Sequence, residues 1–104
     1  MNQVVVREAK ILAEVNRQEP KTREWMLSAI AEMGGARNKD SVTGAHVKNM
    51  LEKCPDREAF AKEVERYTTY HIYGTKEESD PKVAEARSEA RAACYELGKI
   101  IYGD

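Results

Sequence analysis

This chain is poor in the residues on which most chemistry is built. It has two cysteines, two histidines, three prolines, one tryptophan and one phenylalanine. Cys54 and Cys94 could form one disulfide, but nothing else in the chain looks secreted and each follows an apolar helical rhythm, so free buried thiols in a reducing cytosol are expected. No apolar run approaches the ~20 residues that cross a bilayer. The opening MNQVVVREAK meets charge at Arg7 and Glu8, too early for a signal-peptide core. Neither sign of charge dominates: 17 basic and 18 acidic residues leave a net charge of −1. A global electrostatic footprint for nucleic acid or an anionic membrane is thereby excluded, although a local patch is not.

What is present favours helices. Ala, Glu, Lys and Arg are abundant, 34% of residues are charged, and 41% are apolar, enough for one modest core. The expected fold is an all-α, single-domain bundle over residues 1–104, with about five helices and short loops. The first helix spans 3–18, with Val4, Ile11 and Val15 on one face and a Lys10–Glu14 pair on another. Thr22 is read as the cap of a second helix, through Met33, that is stopped by Gly34-Gly35. A polar loop leads to a third helix, Thr43 to Cys54, broken by Pro55. Asp56 caps a fourth, with Phe60, Val64, Tyr67 and His71 on one stripe, which continues to about residue 72 despite the β-favouring run Tyr67–Tyr73. Asp80 and Pro81 open the fifth, and Tyr102 falls in a fraying end.

In that fifth helix Val83, Ala86, Ala90, Ala93, Leu97 and Ile100 recur at alternating spacings of three and four. Alanine at three successive stripe positions predicts a close helix–helix contact, within the chain or across a homodimer. Arg87, Arg91 and Lys99, with Tyr95 among them, flank the stripe on one side; Glu85, Glu89 and Glu96 flank it on the other. Such segregation can orient a partner. Tyr70, Tyr73 and Tyr95 are the accompanying contact candidates, because tyrosines carry area at low entropic cost. The expected core residues are Trp25, Ile30, Leu51, Phe60 and Leu97.

Catalysis finds no support. No GxSxG, HExxH, phosphate-loop or dinucleotide motif occurs, and Asp40, Ser41 and His46 read as a cap followed by a helical histidine. Cys54, Cys94, His46 and His71 lack the paired spacing that preorganises a metal site, so neither metal nor cofactor is expected. Gly34-Gly35 with Arg37 and Lys39 has ingredients of an anion loop, opposed by Asp40. The preferred function is a cytoplasmic, non-enzymatic protein-interaction module (a small subunit, adaptor or inhibitor). Motif-free small chains of this kind also occur among phage and mobile-element products. The alternative is nucleic-acid recognition by a helix-turn-helix-like segment, 22–54, through Arg37, Lys39, Lys48 and Lys53, with Asn49 facing the groove.

Overall fold

The computed structural model describes residues 3–72 and 80–103 and is an all-α bundle of five helices. Helix α1 is Gln3–Asn16, α2 Pro20–Gly34, α3 Gly44–Lys53, α4 Arg57–Arg66 and α5 Pro81–Tyr102. A short 3-10 turn, Lys39–Ser41, lies between α2 and α3, and α4 runs on into a π-helical stretch, Tyr67–Ile72.

Local chemistry explains most boundaries. Pro20 opens α2 at its first turn, where a missing N–H costs nothing, with Glu19 as the preceding cap residue. Thr22 is therefore inside the helix. Gly35, at φ 78°, takes the left-handed position that stops α2. Asn38 Oδ1 accepts the Asp40 N–H at 2.9 Å, and Ser41 Oγ accepts the Asn38 N–H at 3.2 Å, folding the polar loop on itself. At α3 the His46 Nδ1 accepts the Thr43 N–H at 2.9 Å. Asp56 and Asp80 cap α4 and α5 through Ala59 N–H and Lys82 N–H, each at 2.9 Å.

One core gathers side chains from all five helices, including Ile11, Val15, Met26, Ile30, Met50, Phe60 and Leu97. Trp25 and Leu51 are only partly buried and pack at its margin. The arc of α2 that fills the core is therefore Met26, Ala29, Ile30 and Met33, with Trp25 at its edge. Helices α2 and α3 touch backbone to backbone: the His46 carbonyl stands where a side chain on Gly34 would go. Asn49 Nδ2 donates to the Gly34 carbonyl at 3.1 Å, reinforcing that junction.

On α5 the buried seam is Ala90, Ala93, Cys94, Leu97, Gly98 and Ile101. It is rotated from the expected stripe: Ala86 and Ile100 are only partly buried, and Cys94, Gly98 and Ile101 face inward. Ala90 and Ala93 are enclosed within the single chain, where α5 packs against α2. The alanine seam is thus internal and is not left over for a second copy. Where Glu14 was expected to meet Lys10, it meets Arg17 at 2.7 Å, one turn further on.

The π-helical stretch has a local cause. Thr68 Oγ1 donates to the carbonyls of Val64 (3.0 Å) and Glu65 (3.2 Å), competing for the acceptors that an α-helix would use. Tyr67 is buried and its phenol donates to Ser28 Oγ at 2.8 Å, tying the end of α4 to α2.

Candidate functional site

Helices α4 and α5 run antiparallel: Arg57, at the start of α4, lies over the ring of Tyr102 near the end of α5, while Glu65 pairs with the earlier Arg91. Between them is a groove of about 460 Å³. Phe60, Val64, Cys94, Gly98 and Tyr102 line it, Ala61 and Tyr95 stand at its lip, and Arg57, Arg91 and Glu65 supply its charge.

The floor is built by two close contacts. Gly98 sits mid-helix, where glycine costs roughly 0.5–1 kcal/mol relative to alanine, and the ring of Phe60 occupies the space this leaves. Phe60 meets Tyr102 edge to face, with ring centroids 5.7 Å apart. The Tyr102 phenol donates to the Cys54 carbonyl at 2.6 Å, latching the end of α5 to the α3–α4 junction. Burial pushes that phenol up to about 12, so it remains a donor. Tyr102 was expected to fray and is instead an anchored helical residue, with the Gly103 N–H bonded to Lys99 O. Burial likewise raises the thiols, Cys54 to about 11 and Cys94 to about 12, and both are free.

The flanking residues singled out in the sequence divide. Arg91 and Tyr95 line the groove. Arg91 Nη2 reaches Glu65 Oε1 at 2.7 Å, its Nε donates to Thr68 Oγ1 at 3.4 Å, and Arg87 Nη2 approaches the same Glu65 oxygen at 3.8 Å. These guanidiniums bind α5 to α4 rather than projecting freely, which corrects the picture of an open basic flank. Lys99 lies 4.9 Å from the Tyr95 ring centroid and 3.6 Å from Glu96. Tyr73 lies outside the described residues, as does the side chain of Tyr70.

Across α5 the acidic flank borders α2. Glu89 receives Trp25 Nε1–H at 3.4 Å and Lys21 Nζ at 2.9 Å. The Lys21 hydrogen bond holds the Glu89 carboxyl below its ordinary range.

The nucleic-acid candidates lie outside the lining of this groove. Arg37, Lys48 and Lys53 are exposed, while Lys39 lies beside Asp40 at 3.3 Å. Asn49, expected to face a groove, spends its amide N–H on Gly34. Ser41 donates to the Asn38 carbonyl at 3.0 Å and so helps to close the turn. Among the described residues no group of three or more His, Cys, Asp and Glu side chains is placed to hold a metal ion, and no helix is long and apolar enough to cross a membrane.

Sequence reasoning passed over Arg57, Glu65, Gly98 and Tyr102 as site residues. A signal existed: Arg91, Tyr95, Gly98 and Tyr102 repeat at spacings of four, three and four, a second stripe beside the alanine one. Comparison with known protein families, characterised proteins and solved structures gives no match.

Proposed function

We propose that this chain is a non-enzymatic interaction module, a small subunit, adaptor or inhibitor of a larger assembly, and that it meets its partner in the α4–α5 groove. One arrangement supports this reading. An apolar trough with charged ends lies beside Tyr95, the large hydrophobic residue that stays exposed among the described ones, at 65%. Solvent-facing tyrosine next to an apolar groove and arginines is the composition of a protein contact hot spot. The groove's thiol is buried and its phenol is engaged, which leaves its residues better suited to contact than to covalent chemistry.

A photo-crosslinking residue placed at Ala61, and separately at exposed Lys10 on α1, tests this in the native host. A discrete protein adduct from position 61 and none from position 10 is expected. Equal labelling from both positions, or from position 10 alone, would contradict the reading. The same label at Lys48 tests the nucleic-acid alternative, which requires an adduct there that nuclease digestion shortens.

A further inference from the structure

Building on that reading, we infer that the groove's occupant is an acidic amphipathic helix, with a carboxylate at each end of a two-turn apolar stretch. The length follows from the ladder of α4 positions. Arg57 to Glu65 spans eight residues, about 12 Å at ~1.5 Å per residue, or a little over two turns of a helix laid alongside. A third helix between two antiparallel ones would set its apolar residues over Phe60, Val64 and Gly98.

Charge selects the ends. The lining holds two guanidiniums, Arg57 and Arg91, against one carboxylate, Glu65. No described carboxylate pairs with Arg57, which rests 5.9 Å from the Tyr102 ring centroid. The ring carries its cation from below, and the phenol, committed to Cys54, does not compete for an incoming carboxylate. At the opposite end Arg91 already holds Glu65, but that carboxylate is largely exposed, so an incoming acid can share or displace it at small cost. Guanidinium is the side chain best matched to carboxylate geometry, and a basic segment would meet two like charges here.

Titration of the ¹⁵N-labelled full chain with four short helical peptides tests the inference. All are built on one scaffold: two Leu between terminal Glu residues, the same with Lys ends, the same with Gln ends, and the Glu-ended peptide with both Leu replaced by Ala. The Glu-ended Leu peptide should shift amides in 57–65 and 91–102 and bind at least about tenfold more tightly than the Lys-ended one, about 1.4 kcal/mol. Its affinity should fall as salt rises from roughly 50 to 300 mM, as screening shortens the reach of each charge. Arg57→Glu should narrow or reverse the preference, and loss of Leu should abolish binding.

Groove shifts with Lys-ended binding equal or tighter would overturn the acidic occupant and leave the groove as a docking surface. An absence of groove shifts with every peptide would also overturn it, and the crosslink at position 61 then decides the docking reading separately.

Discussion

The ring of Phe60 lies against the bare backbone of Gly98, so close that a Cβ there would stand 3.3 Å from the ring's Cε2. This contact joins the core to the groove, because Phe60 belongs to the core and both residues line the groove. A graded series at Gly98 should report it. Alanine gains roughly 0.8–1.0 kcal/mol of helix propensity and loses part of that to the tight contact, for a net change near zero. Valine regains less propensity and adds two methyl groups to the tight contact, so it should lower stability by roughly 1–3 kcal/mol, as overpacking does. Urea denaturation of the two variants measures the difference. Valine as stable as wild type would mean that the ring does not press on this position.

The alanine seam of α5 gives a second test. Ala90 is fully buried inside the chain, so Ala90→Leu should cost roughly 1–3 kcal/mol by overpacking. Sedimentation should show the same mass for variant and wild type. A fall in mass would place the seam between two chains and contradict the internal packing.

Much of this was legible in the sequence, and the failures share a cause. Local signals were reliable: Asp56, Asp80, Pro81 and Gly35 mark helix ends through chemistry confined to a few neighbouring residues. Periodicity found the inward faces, burying Ile30, Phe60 and Leu97. It could not fix their rotation, since Ala86 and Cys94 are both credible members of an α5 stripe and only the docking angle of α2 decides between them. Arg87 and Arg91 looked like a free flank because their partner, Glu65, is more than twenty residues away in another helix. Tyr102 looked like a fraying end because its anchor, the Cys54 carbonyl, is a backbone atom that no motif reveals.

The thiols provide a third test. Burial raises Cys54 to about 11 and Cys94 to about 12. An aromatic disulfide reagent at mild alkaline pH should leave both nearly untouched in the native chain and titrate both in denaturant. Rapid native reaction of Cys94 would show that the groove floor is open to solvent and too loosely packed to be a preformed contact surface.

The fourth test concerns acid. Glu89 is held below its ordinary range, first by the Lys21 hydrogen bond. A depressed carboxyl contributes stability that is present above its unfolded value of ~4.3 and is lost as pH falls through the folded value. Trp25, the only tryptophan, donates to the same carboxylate and so serves as a local reporter. Its fluorescence should change with a midpoint below the ordinary glutamate range, and Glu89→Gln should remove that transition. An unchanged transition in the variant would separate Trp25 from Glu89.

Capture and stability, measured together at the groove, test the central claim most directly. Tyr95 is largely exposed, so Tyr95→Ala should alter stability by no more than about 0.5 kcal/mol. Ala61→Trp, at an exposed lip position, should fill the groove without entering the core. Both variants should melt within a few degrees of wild type, while the crosslinked partner adduct is sharply reduced in each, read from a label at position 61 for Tyr95→Ala and from a label at position 95 for Ala61→Trp. Full partner capture by both variants, with folding intact, would contradict the assignment of the α4–α5 groove as the docking surface.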